Sequence, residues 1–166
     1  SLYRGSNSSS EESGYMMSDR KYISFKKNGY GILESICSIK FIVEKAREIL
    51  QYQKQDLDFS KVIKEIKKGN KQLNSLIDEI NELMAIAISN IICVINPEKV
   101  VLGGKYTEIA QMYKSDINEM ISKIVPTVPE IIFSELGDKV FYLGAIVQGL
   151  ENIEENLMQT YFKKVN

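Results

Sequence analysis

The stretch Asn96-Pro97-Glu98-Lys99-Val100-Val101-Leu102-Gly103-Gly104 decides how this chain is read. A long apolar-periodic segment halts at the Asn-Pro step, where the proline ring removes a backbone donor and crowds the preceding turn. A short β-branched run follows and opens directly onto two glycines. In open α/β sheets, ligands sit beyond the carboxyl ends of the strands, where glycine lets a backbone approach closely. An ordinary helix-to-strand corner leaves the same local pattern, so the neighbouring segments must decide between the two.

Upstream, Leu73, Leu76, Ile77, Ile80, Leu83, Met84, Ala87, Ile88 and Ile91 share one helical face. Toward the end of this helix nearly every residue is apolar, which predicts burial on all sides. A shorter helix is expected from Asp58 to Lys68, capped by Asp58 or Ser60 and stopped by Gly69. Before it, Leu33, Ile36, Ile39, Val43, Ala46 and Leu50 mark the buried stripe of a helix entered from the loop Lys26 to Gly31. Lys21 to Phe25 alternates as a strand or as extended chain, and Gly5 to Gly14 reads as a Ser-, Gly- and Asn-rich loop. Downstream come a strand at Lys99 to Leu102, a helix from Thr107 to Val125, a strand at Glu130 to Phe133 and a helix from Lys139 to Phe162. In that last helix Leu143, Ile146, Val147, Leu150, Ile153 and Leu157 keep helical spacing. Strand–helix–strand–helix order implies a crossover and a parallel strand pair.

The chain has 166 residues and a formal charge of −1, the length of one domain with a real core. Interleaved charges argue against this segment alone gripping a nucleic-acid backbone. Lys26-Lys27, Lys67-Lys68 and Lys163-Lys164 are scattered, and the aromatic residues form no stacking platform. The apolar run from Met84 to Ile95 is broken by Ser89-Asn90 and is too short for a membrane span. Cys37 and Cys93 lie on apolar faces and are expected to be reduced core thiols. There is no histidine, which removes the usual general base and the commonest metal ligand. The abrupt start at Ser1 leads us to expect a fragment.

Ile91 through Gly104 resembles the stretch ending in Pro-Glu-x-Ile/Val-Val-Leu-Gly-Gly in the ROK family of sugar kinases and sugar-responsive repressors. Two further segments match that family in order. Glu11-Glu12-Ser13-Gly14-Tyr15-Met16 is similar to its Gly-Glu-x-Gly-His-Met, whose glutamate and histidine hold sugar hydroxyls, the histidine also binding zinc. Asn28-Gly29-Tyr30-Gly31-Ile32-Leu33-Glu34 is similar to the end of its Cys-x-Cys-Gly-x-x-Gly-Cys-Leu-Glu, which supplies the other zinc ligands and a second sugar-binding glutamate. Leu143-Gly144-Ala145 looks like the Gly-Ala that opens the family's last helix.

The resemblance implies an α/β fold, the helix-rich C-terminal lobe of an actin-like ATPase (ribonuclease H-like) architecture, with residues 1–166 as one domain. It implies sugar binding at Glu12, Tyr15 and Glu34, and a nucleotide-side cleft at Gly103, Gly104 and Gly144. The residues alone also allow a plainer account, with Glu12 a solvated loop charge and Glu34 a helix-start carboxylate favoured by the dipole. Tyr15, Phe25, Lys27 and Ile32 stand where the family's zinc donors would be, and none of them offers a thiolate or imidazole. No metal and no cofactor are therefore expected. No catalytic residue can be assigned, because the family's aspartate and phosphate loops lie upstream of the matched segment.

The expected function is the sugar-effector-binding and oligomerisation domain of a ROK transcriptional regulator. Its partners would be a sugar, DNA through an absent N-terminal domain, and a second copy in a homodimer; it would be cytoplasmic, with no membrane contact. The alternatives are the C-terminal half of a ROK sugar kinase and a degenerate assembly module that binds no sugar.

Overall fold

The computed structural model describes residues 6, 12–16, 20, 30–52, 56–137 and 139–165. The strand or extended run expected at Lys21 to Phe25 lies outside them, as does most of the loop before Gly14. The helix expected after Gly31 is in fact two. Helix α1 (Ile32–Cys37) ends at Ser38, whose backbone is extended at φ −69° and ψ 153°, and α2 (Ile39–Leu50) starts there. Ser38 serves both ends: its N–H bonds the Glu34 carbonyl, while its Oγ accepts from the Phe41 N–H at 3.2 Å. A serine side chain that caps the next turn offers the backbone an alternative to helical continuation. The apolar spacing runs on across the break and hides it.

Helix α3 (Phe59–Lys67) is capped by Asp58, whose carboxylate accepts from the Lys61 N–H at 2.8 Å and the Ser60 hydroxyl at 2.7 Å. Those two bonds hold the Asp58 carboxyl below its ordinary range. Helix α4 (Lys71–Ile95) opens on Asn70, which accepts from the Leu73 N–H at 3.1 Å. It closes on Asn96, left-handed at φ 49°, with its N–H bonded to the Ile92 carbonyl at 2.8 Å. Asparagine is among the few residues that visit this conformation readily, and Pro97 then forbids another turn.

Strands β1 (Lys99–Leu102) and β2 (Glu130–Phe133) pair in parallel with Lys99 opposite Glu130 and Leu102 opposite Phe133. The crossover between them is broken where one helix was expected. It consists of α5 (Thr107–Ala110), a 3₁₀ turn (Gln111–Tyr113) and α6 (Lys114–Ser122). Helix α7 (Lys139–Val165) follows β2.

Two apolar clusters organise this α/β architecture, and α4 joins them. Its first half packs Leu73, Ile77 and Ile80 with Ile42 and Ala46 of α2 and Val62, Ile63 and Ile66 of α3. Its second half packs Ala85, Ile88 and Ile92 with Ile117 and Ile121 of α6 and Ile131 and Phe133 of β2. Burial stops before the helix does. Val94 is 80% exposed, Ile95 is 60% exposed and Cys93 is also at the surface, so the expectations of an all-round buried end and of a core Cys93 are corrected. The last turn of α4 runs past its neighbours, and only packing could have revealed that. Cys37 is partly buried as expected.

A cavity at the α1–α2 bend

The site begins with two glycines. Gly31 is the N-cap of α1, and a Cβ placed on it would fall onto the carbonyl of Gly14. The two backbones can approach because Gly31 has no side chain to collide with Gly14. Gly14 belongs to a 3₁₀ turn (Ser13–Tyr15) that packs against α1 and is closed by bonds from the Tyr15 N–H to the Glu12 carbonyl at 3.1 Å and from Met16 to Ser13 at 3.0 Å. A Cβ on Gly14 would lie 3.2 Å from the Cβ of Glu34 and 3.4 Å from its Oε2. The glycine pair thus carries the segment of Glu12 and Tyr15 up to the Glu34 side chain.

Glu34 sits in the first turn of α1, and its face opens on a cavity of about 440 Å³ lined by Tyr30, Glu34, Ser35, Ser38, Lys40, Phe41 and Glu44. That size lies within the range of small-ligand clefts. The Ser35 hydroxyl donates to the Gly31 carbonyl at 2.7 Å, which fixes its oxygen as an acceptor toward the cavity. Ser38 Oγ, already accepting from Phe41, keeps its hydroxyl proton to donate. Glu12 and Tyr15 belong to the turn against α1 and not to the cavity wall. Of the expected site residues Glu34 lines the cavity; Lys40, Phe41 and Glu44 line it too without belonging to any motif, the charges of Lys40 and Glu44 being those of an ordinary solvated helix face.

The glycines that the resemblance assigns to a nucleotide side lie elsewhere. Gly103 and Gly104 follow the carboxyl end of β1, and Gly144 lies in the first turns of the helix after β2, so both places follow strand ends of one parallel pair. Gly104 is left-handed at φ +83°, and its carbonyl accepts from the Thr107 N–H at 3.1 Å and the Thr107 hydroxyl at 2.7 Å. A Cβ at Gly103, Gly104 or Gly144 would meet nothing within 4 Å. This loop is tied to α4 by the Tyr106 hydroxyl, which donates to Oδ1 of the fully buried Asn81 at 2.7 Å. Burial raises the Tyr106 hydroxyl well above the ordinary phenol value, with Cys37 and Tyr113 nearby adding to it.

The metal question turns on donor chemistry. Of the four positions matching zinc donors, Tyr15 and Ile32 are described and carry neither thiolate nor imidazole; Phe25 and Lys27 lie outside the described residues. Among the described residues, no helix is long and apolar enough to cross a membrane.

The ROK family profile matches residues 1–148. The chain belongs to the ROK family. Over 98 residues it is 26% identical to the xylose repressor of Caldicellulosiruptor bescii, a match covering 57% of this chain and 25% of the repressor. Its fold matches that of the ROK hexokinase from Thermus thermophilus at a TM-score of 0.71 and 19% identity, over 88% of this chain and 49% of the hexokinase. A protein of Cytophaga hutchinsonii assigned to the sugar kinases matches at a TM-score of 0.70 and 17% identity, over 90% of this chain and 51% of its own. This ROK chain therefore has the actin-like ATPase fold and spans about half the length of those solved relatives and a quarter of the repressor.

Proposed function

We propose that this ROK chain is the C-terminal sugar-sensing and oligomerisation lobe of a cytoplasmic transcriptional regulator. The observation that carries the reading is the Gly14–Gly31 contact, which holds the Glu12–Tyr15 turn beside Glu34 at a cavity of mixed aromatic and polar lining. Glu34 accepts hydrogen bonds from sugar hydroxyls in the cavity, and Glu12 and the Tyr15 hydroxyl, on the turn beside it and not in its wall, assist from the rim. The site works without zinc or any other cofactor. DNA binding belongs to an N-terminal domain outside this chain, and residues 1–166 act as a single unit.

A sensor tolerates a looser site than a kinase, which must hold its sugar close to a productive pose. The missing zinc donors therefore favour the regulator. The kinase reading is favoured by the solved relatives, half of whose length this chain covers; Gly103, Gly104 and Gly144 would then face a nucleotide. A winged helix or an Asp-Gly-x-Thr loop in the full-length N-terminal sequence separates the two.

Helix α7 supports the homodimer. Leu143, Ile146, Leu150, Ile153 and Leu157 alternate spacings of three and four residues, the seam of a helix pair, and all five are exposed. With Tyr142, Val147, Met158 and Tyr161 they offer nine large side chains at on the order of 100 Å² each, near the roughly 800 Å² per partner of a standard interface. The occupant of this face is a second copy.

Calorimetric titration with a panel of pentoses, hexoses and amino sugars tests the sugar. Wild type should bind at least one member, and Glu34→Ala should weaken it by about ten- to a hundredfold, roughly 1–3 kcal/mol for hydroxyls left unpaired. If no sugar binds, the chain is an assembly module; if Glu34→Ala binds equally well, the sugar lies elsewhere.

A further inference from the structure

We infer that the ligand at Glu34 is longer than one sugar ring, and that the α2 wall of the cavity forms a second subsite for a neutral disaccharide. This rests on the sugar-binding reading of Glu34 and extends it to Ser38, Lys40, Phe41 and Glu44.

The first argument is space. At about 30 Å³ for each free water-sized atom, the roughly 440 Å³ cavity takes about fifteen. The bonded heavy atoms of a hexose pack more closely than that and number only a dozen, so one ring leaves room beside it.

The second argument is the lining. Lys40 and Glu44 stand one turn apart on α2, close enough to pair though in the less favoured order, with the lysine N-terminal. On the same helix Lys45 does pair with Glu48, at 2.7 Å. Lys40 and Glu44 instead both border the cavity, and among the described residues no ion pair engages either of them or Glu34. They bring to the cavity a charged donor and a charged acceptor from α2, in addition to Glu34 from α1.

Phe41 and Tyr30 supply the apolar faces against which a pyranose lays its C–H surface. The charges then choose the ligand class. Two carboxylates against one ammonium leave the wall net negative, which repels a phosphosugar or a uronate and favours a hydroxyl-rich neutral one. The extended backbone at Ser38 separates α1 from α2, and the cavity is lined by residues on both sides of that break.

The test is calorimetry on the full chain with xylose, glucose, xylobiose, cellobiose and maltose, for wild type, Glu44→Gln and Phe41→Ala. At least one disaccharide should bind ten times or more tighter than its own monosaccharide. Exposed Glu44→Gln should reduce that gain severalfold while leaving monosaccharide affinity unchanged, with an unaltered melting curve. Phe41→Ala should do the same more strongly; because Phe41 also touches the core, Glu44→Gln decides the matter if that variant melts early. Monosaccharide binding that depends on Glu34 but shows no disaccharide gain overturns this inference alone. Equal losses for both ligand lengths in Glu44→Gln overturn it too. Failure of every sugar to bind wild type overturns the Glu34 reading with it.

Discussion

Helices α4 and α7 are nearly equal in length, at 25 and 27 residues, and live in opposite surroundings. Nine side chains of α4 are buried, and its two halves nucleate the two apolar clusters. None of the described side chains of α7 is buried, though its apolar stripe is as regular. Periodicity therefore locates the face of a helix that seeks cover, and says nothing of what covers it. For α4 the cover is in this chain; for α7 we propose a second copy.

The sharpest way to break this comparison is to truncate one side chain in each helix. Ile77→Ala, in the first cluster, should cost roughly 2–5 kcal/mol by lost transfer energy and the cavity left behind. Leu150→Ala, 62% exposed, should change stability by about 0.5 kcal/mol or less at protein concentrations where copies dissociate. Urea unfolding followed by circular dichroism measures both. Equal losses would mean that α7 is packed within one chain.

The second effect appears only in mass. Leu150→Glu combined with Ile153→Glu puts charge on the α7 seam without touching either cluster. Wild type should sediment as a dimer at micromolar concentration, the double variant as a monomer with the same melting temperature. A monomeric wild type would remove the second copy from the account of α7.

The same contrast explains what the sequence could convey. Both strands lie at their expected residues, because β-branched runs bounded by Asn-Pro, Gly-Gly and the prolines 126 and 129 leave little choice of register or length. The break at Ser38 and the 3₁₀ turn at Gln111–Tyr113 went unseen, since each costs only a hydrogen bond or two and leaves the apolar spacing intact. At the site, Glu34 was legible through the motif that contains it. Lys40, Phe41 and Glu44 were not, because a cavity wall made of helix surface has no sequence pattern of its own. Gly14 and Gly31 fall between. The motifs name them, but their reason, one backbone lying against another, is visible only in three dimensions.

The smallest effect probes where burial ends along α4. Cys93 lies at its exposed end, whereas Cys37 in α1 is largely enclosed and burial pushes its thiol up from 9.0 to about 12. The thiolate is the reactive form, and at pH 8 a thiol with that value is ionised to about one part in ten thousand. Native protein at pH 8 should therefore take up one equivalent of iodoacetamide, at Cys93, and a second only after denaturation. Peptide mass mapping assigns the sites, and Cys93→Ser should leave the native chain unlabelled. The sign of the linkage gives a second reading of the same burial. The fold favours the protonated Cys37, so its contribution is complete below 9.0, the unfolded value, and is lost as pH rises from there toward about 12. Cys37→Ala should flatten that alkaline loss, and Cys93→Ala should leave it unchanged. Rapid native labelling of Cys37 would mean that α1 opens readily from α2 and α4, and the Glu34 wall of the cavity would open with it.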